Sequence, residues 1–151
     1  MIVAMSDEFD DETDLPFETS PAAQPVSELV GDEVERVPPD ATLREVCTVL
    51  SDRGVGIVGI GGEAGRLDGV VSERDIIAAL AAGADPDAVT AGDVEVEHIY
   101  YVDPSATLEE VAAEMLSKWT RHLFVGEPDR LAGVVSMRDV LGAFVVSNEL
   151  D

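Results

Sequence analysis

The chain repeats itself. Leu67-Asp68-Gly69-Val70-Val71-Ser72-Glu73-Arg74-Asp75 matches Leu131-Ala132-Gly133-Val134-Val135-Ser136-Met137-Arg138-Asp139 at seven of nine positions, at an offset of 64. Upstream, Pro39-Asp40-Ala41-Thr42-Leu43 matches Pro104-Ser105-Ala106-Thr107-Leu108 at an offset of 65, so the one-residue difference falls in the turn between the two matches. Two copies of about 60 residues therefore follow one another. A unit of that size has little core of its own. The economical solution is for the two copies to bury a face of each against the other.

Each copy has the same grammar. A short β segment (Val34–Val37; Ile99–Val102) leads through a proline-bearing turn to Thr42 or Thr107, a helix N-cap. Apolar residues then recur at helical spacing: Leu43, Val46, Cys47 and Leu50 in the first copy, Leu108, Val111, Ala112 and Met115 in the second. An apolar strand follows (Ile57–Ile60; His122–Val125), then a turn marked by Gly61, Gly62 and Gly65 or by Pro128 and Asp129. A second strand (Leu67–Val71; Leu131–Val135) runs into a second helix at Ser72 or Ser136. The predicted fold class is α/β of the α+β kind: two β-α-β-β-α repeats packed through their sheets about a pseudo-twofold axis, with two related clefts between them. Residues 1–24 read as an acidic, disordered tail, 25–84 as the first repeat, and 85–151 as a connecting helix opened by Asp85-Pro86 and the second repeat.

Charge narrows the setting. The chain carries 32 Asp+Glu against 9 Lys+Arg, a formal net charge of −23. Seven of those acids lie in the first twenty residues, so the repeats are themselves strongly acidic, and Lys118 is the only lysine. A dense carboxylate surface with almost no lysine suits a cytoplasm of very high salt, where self-repulsion is screened. Binding of nucleic acid through a broad basic patch is excluded on the same grounds. A single cysteine, Cys47, rules out an internal disulfide framework and a cysteine-based zinc site, and its place on an apolar helix face reads as packing. No apolar run approaches the roughly 18–20 residues needed to cross a bilayer, and the N-terminus lacks the features of a signal peptide, so a cytoplasmic protein without membrane attachment is expected.

Several signals mislead. Gly54-Val55-Gly56-Ile57-Val58-Gly59 spells a dinucleotide fingerprint, but a helix precedes it and a strand follows, the reverse of what that motif needs. His98 and His122 have no partners at metal-ligand spacing, and no nucleophile–base pair is visible, so neither a metal site nor an enzyme is expected. Trp119 reads as packing at a helix end or on a dimer surface.

The two Gly-x-x-Ser-x-x-Asp segments (69–75 and 133–139), their upstream Pro-x-Ala-Thr-Leu segments, and Arg121-His122-Leu123-Phe124-Val125 resemble a tandem pair of CBS domains, the Bateman module. The family more often has Pro where Phe124 stands. The resemblance covers about residues 28–148. It implies a regulatory module without catalytic activity and with no cofactor of its own that binds AMP, ADP, ATP or S-adenosylmethionine in the clefts and signals by a shift in conformational population. It also implies a homodimer forming a flat four-repeat disc, and a protein effector that reads the arrangement.

Carried over residue by residue, Asp75 and Asp139 would hold ribose hydroxyls and Ser72 and Ser136 would sit by phosphate. Strands Ile57-Val58-Gly59 and His122-Leu123-Phe124 would line adenine. A carboxylate can accept two hydroxyl hydrogen bonds, and a serine at a helix N-terminus lies among free backbone N–H groups. Ser-x-x-Asp at a strand-to-helix junction is equally a capping box, and both roles can hold at once. The clefts are expected to be unequal: Arg121 and His122 stand where the first copy has Gly56 and Ile57, which makes the Ser72/Asp75 cleft the better anion site. A ligand-free module that only dimerises and scaffolds a partner is the alternative.

Overall fold

The computed structural model describes residues 20–30, 33–62 and 65–149, with side chains to residue 146 in the last segment. After two 3-10 turns, Pro21–Ala23 and Val26–Glu28, the first repeat runs β1 (Arg36–Val37), α1 (Leu43–Arg53), β2 (Ile57–Ile60), β3 (Gly69–Ser72) and α2 (Glu73–Ala81). A short helix α3 (Ala91–Val94) precedes the second repeat: β4 (Tyr101–Val102), α4 (Leu108–Lys118), β5 (His122–Glu127), β6 (Arg130–Ser136) and α5 (Met137–Glu149). Each repeat holds a three-stranded sheet with its strands in chain order, the first pair parallel and the second antiparallel. Ile57 faces Ser72 across one ladder and His122 faces Ser136 across the other, so the copies superpose in register as well as in sequence. Three of the expected strands start later than their apolar runs, with Val34 and Ile99 before β1 and β4 and Leu67 before β3; β2 keeps its expected range, and β5 and β6 extend beyond theirs.

The caps explain why the helices start where they do. Thr42 and Thr107 each accept from the backbone N–H three residues on, while Glu45 and Glu110 reach back to the cap N–H. From those starts, helical spacing turns Leu43, Val46 and Leu50, or Leu108, Val111 and Met115, into the core. Cys47 is half-buried and packs against the first of these cores.

Three apolar layers result. Val46, Leu50, Val58, Ile60 and Val71 fill the helix side of the first sheet; Val111, Met115, Leu123, Val125 and Val135 fill that of the second. Between the sheets, Ile57, Val70 and Phe124 are buried together, flanked by Val34, Leu67, Ile99 and Tyr101. All four residues of β2 are buried because helices cover one face and the other repeat covers the opposite one.

The connections are exchanged between the halves. Val26 and Ser27 donate their N–H groups to the carbonyls of Ala106 and Pro104, at 2.8 and 3.1 Å, and Val26 is fully buried in the second repeat's core. The pseudo-symmetric segment does the reverse: Ala91 and Gly92 donate to Ala41 and Pro39, at 2.7 and 2.8 Å, in the first. The segment that begins each copy in sequence therefore belongs, in space, to the other copy. Only residues 20–24 of the expected tail are described; Ser20 caps the first turn and the Gln24 carbonyl accepts from Leu108, so this stretch is built into the second repeat. Residues 1–19 lie outside the described part. The helix expected at Asp85-Pro86 is a turn instead. The Asp85 carboxylate caps the Asp87 N–H and the Asp85 carbonyl accepts from Val89, but the next carbonyls, Pro86 and Val89, accept from the N–H groups of Arg44 and Leu43, and Arg44 forks onto Asp87 from α1, so the segment ends after one turn.

Candidate functional site

The pseudo-twofold packing leaves a cleft of about 210 Å³ at one end of the sheet interface. Its apolar floor includes Ile57, Val70, Ile99 and Phe124. One wall is the β3–α2 junction with Ser72 and Asp75; facing it is the α4–β5 corner with Lys118, Trp119, Arg121 and His122.

The Ser72/Asp75 wall is a capping box. Asp75 Oδ2 accepts from the Ser72 N–H at 2.8 Å and from the Ser72 hydroxyl at 2.9 Å, and the Asp75 N–H lies 3.3 Å from Ser72 Oγ. A carboxylate offers about four lone-pair sites. The cap uses the two on Oδ2, so Oδ1 keeps its acceptor capacity while the cap fixes the carboxylate's orientation. Asp75 is half-buried and opens onto the cleft.

Opposite, the His122 imidazole lies against Gly56: a Cβ there would sit 3.1 Å from His122 Cε1 and Nε2. Burial pushes the His122 pKa down, Glu73 and Asp139 pull it back up, and Arg121 lowers it further, so the ring is neutral at neutral pH. Arg121 is exposed; its backbone carbonyl accepts from the Met137 N–H, which anchors the β5 corner to α5.

Charge is distributed unevenly. Arg74, Lys118 and Arg121, three of the nine Lys+Arg, line this cleft together with both histidines, His98 and His122. They face two carboxylates, Glu73 and Asp75. On a chain of net charge −23 this is a local concentration of cations that brings the balance close to neutral. Lys118 rests over the Tyr100 ring at 4.9 Å and pairs with Glu114 at 3.5 Å.

Of the residues singled out in the sequence, this cleft gathers Ser72, Asp75, Arg121, His122, Ile57 and Phe124. It does not gather Val58 and Leu123. Strand alternation turns both side chains to the helix side, where each is fully buried in its own repeat's core. Gly59 shares the inter-sheet face with Ile57, but Leu67 Cδ2 lies 2.5 Å from where its Cβ would be, so that position is occupied by packing. Ser136 and Asp139 form the equivalent box on the other junction, with Asp139 exposed rather than half-buried. Arg74, Lys118, Trp119, Tyr100 and His98 are lining residues that sequence reasoning missed. The signal that could have found them was position: Arg74 adjoins Asp75, Lys118 and Trp119 flank the corner that holds Arg121, and His98 and Tyr100 lie on the segment leading into β4.

A model of the CBS domain matches the chain twice, over residues 26–82 and 91–146. The chain belongs to the CBS domain family. Among curated relatives, hypoxic response protein 1 of Mycobacterium tuberculosis is 36% identical over 100 residues, covering 66% of this chain and 70% of that one. Its crystal structure, described with two coordinated zinc ions, matches at 32% identity and a TM-score of 0.63 over 79% of this chain and 98% of that one. A CBS domain protein from Pyrobaculum aerophilum, solved in complex with AMP, matches at 30% identity and a TM-score of 0.67 over 82% of this chain and 99% of that one. The arabinose 5-phosphate isomerase of Yersinia pestis is 29% identical over 77% of this chain, which spans only 35% of that enzyme. Among the described residues, no three His, Cys, Asp or Glu side chains come together as a metal site, and no helix is long and apolar enough to cross a membrane.

Proposed function

We propose that this CBS pair is a regulatory module that binds an adenine nucleotide in the Ser72/Asp75 cleft and transmits occupancy through the relative placement of its two repeats. The observation that carries the reading is the gathering of Arg74, Lys118 and Arg121 around one capped carboxylate on an otherwise acidic protein. Ribose hydroxyls fit the free oxygen of Asp75, phosphate fits Ser72 at the N-terminus of α2 with Arg121 across from it, and the Ile57/Phe124 floor fits a purine ring. The AMP complex of the Pyrobaculum relative supports the ligand class. Three cations favour a phosphorylated nucleotide over S-adenosylmethionine, which carries no phosphate.

Ligand acts on both halves at once, because Asp75 belongs to one repeat and Arg121 to the other. Closing the cleft around an anion therefore favours one arrangement of the repeats over others, and a bound effector can read that difference. Isothermal titration with AMP, ADP, ATP and S-adenosylmethionine in molar KCl tests the reading. Asp75→Ala is expected to weaken nucleotide binding at least tenfold while Asp139→Ala leaves it near the unmutated value. The opposite pattern moves the site to the other cleft, and silence from all four ligands removes the nucleotide reading.

A second reading has its own support. Ile77 on α2 and Leu141, Val145 and Val146 on α5 are large apolar side chains more than half exposed. Ile77 and Leu141 are pseudo-symmetric, so the outward faces of both second helices suit a homodimer contact. A module that only dimerises and scaffolds a partner would keep this surface and bind no nucleotide. In either case the acidic surface suits a salt-rich cytoplasm.

A further inference from the structure

Trp119 stands at a backbone position that favours glycine. It is 83% exposed, and its φ of 54° makes it the only non-glycine residue at positive φ among those described. Residues other than Gly, Asn and Asp adopt that conformation rarely. The first copy solves the same problem in the ordinary way: Gly54, aligned with Trp119 at an offset of 65, caps α1 at φ 66°. Both residues donate their N–H to the carbonyl four residues back, Leu50 or Met115. The second copy thus holds a large indole, mostly in water, at a site the backbone reserves for glycine. Strain of this kind points toward function when the surrounding contacts maintain it. Here Arg74, from the other repeat, donates Nη1 to the Trp119 carbonyl at 3.3 Å and ties the residue to the rim of the cleft.

The cleft's size supplies the use. At about 210 Å³ it is smaller than the roughly 300–1,000 Å³ of sites that enclose a nucleotide-sized ligand. A ligand whose ring rests on Ile57 and Phe124 therefore keeps its outer face at the mouth, where Trp119 stands. Resting on the nucleotide reading above, we propose that Trp119 is a ligand-positioning residue: its indole closes over the mouth and stacks on the outer face of the purine, completing a sandwich that the sheet faces begin. Lys118 and Arg121 on either side keep the anionic end of the ligand at the same rim. The closure is specific to this cleft, since the pseudo-symmetric position carries only Gly54.

The experiment uses the chain's single tryptophan as the reporter. Full-length protein in molar KCl is titrated with AMP and with ATP, followed in parallel by tryptophan emission and by calorimetry. The expected result is a saturable change in emission with the calorimetric midpoint. Trp119→Gly is expected to fold with an unchanged or higher thermal midpoint and to bind about five- to a hundredfold more weakly, the range set by removing one aromatic–base stack. Trp119→Phe is expected to recover most of the affinity. Calorimetric binding that leaves emission unchanged, with Trp119→Gly binding as tightly as the parent, overturns this proposal and leaves the nucleotide reading standing. Loss of affinity in Trp119→Gly together with a loss of dimer in sedimentation also overturns it, because the indole is then a subunit contact. No binding by parent or variant overturns both.

Discussion

Val26→Ala tests the exchange of connecting segments. Val26 lies in the stretch that precedes the first repeat, yet its side chain is fully buried in the core of the second and its N–H is held by Ala106 at 2.8 Å. The substitution deletes two methyl groups and leaves the hydrogen bond in place. At about 0.8 kcal/mol per buried methyl-sized group, the transfer part is about 1.6 kcal/mol. The gap left behind adds to this, because Leu108 and Val111 are held by α4 and cannot collapse fully into it. The sum is about 2 kcal/mol. With a urea slope of about 2 kcal/mol per molar for a chain of this size, the midpoint should fall by about 1 M at constant KCl. Ser27→Ala, one residue on and exposed, is the control and should move stability by less than about 0.5 kcal/mol. A Val26→Ala midpoint within error of the control's would mean that the segment does not belong to the second repeat's core, and the account of how the halves are tied together would fail with it.

Two further predictions concern charge. Burial holds the pKa of His122 below its ordinary value of 6.5, so between that value and the depressed one the unfolded chain binds the proton that the folded chain refuses. Stability from this group is therefore fully present above about pH 6.5 and is lost as pH falls below it; urea denaturation from neutral pH to about pH 5 should show a decline that His122→Asn makes shallower, and equal slopes for both proteins would refute it. The net charge of −23 predicts that the thermal midpoint rises as KCl increases from about 0.1 M to the molar range, where the screening length drops from about 10 Å to about 3 Å; a flat midpoint would show that the acidic surface does not limit stability.

Much of the fold was legible because each copy is locally consistent. Thr42 and Thr107 announce a cap, Glu45 and Glu110 complete it, and the apolar positions that follow at helical spacing are the ones that become buried. The exchange of connections was not legible, since a segment such as Pro25-Val26-Ser27 carries no periodic signal; its destination is set by backbone groups at Ala106 and Pro104, some 80 residues away. At Asp85-Pro86 the cap forms but the helix stops after one turn for a tertiary reason: the Pro86 and Val89 carbonyls accept from the Arg44 and Leu43 N–H groups at the start of α1 instead of from residues further along their own segment. At the cleft, residue types singled out Ser72, Asp75 and Arg121, and all three line it. Strand alternation turns the Val58 and Leu123 side chains away from it, because alternate residues of a strand point to opposite faces.

The fingerprint-like glycines show the same division between local and distant causes. Gly54 is a helix cap, Gly56 makes room for His122 of the other repeat, and Gly59 makes room for Leu67 of its own. Their spacing reflects three separate steric demands and no phosphate loop. The comparison of the two copies then separates what the fold requires from what the site uses. The Ser-x-x-Asp box occurs at both junctions, and both need it to start a helix, so its repetition alone says nothing about two ligand sites. The copies differ instead at the corner between the first helix and the central strand, where Ser51, Gly54, Gly56 and Ile57 stand against Leu116, Trp119, Arg121 and His122. Of the larger set only His122 is packed, against Gly56; Leu116, Trp119 and Arg121 are exposed, and the first copy folds the same corner without them. Cation, imidazole and indole were added on one side only, and they line the cleft that holds the more buried of the two aspartates. A symmetric scaffold thus carries one chemically distinct corner, and on the proposed nucleotide reading the two clefts should differ in affinity through Trp119, Arg121 and His122 rather than through the motif the copies share.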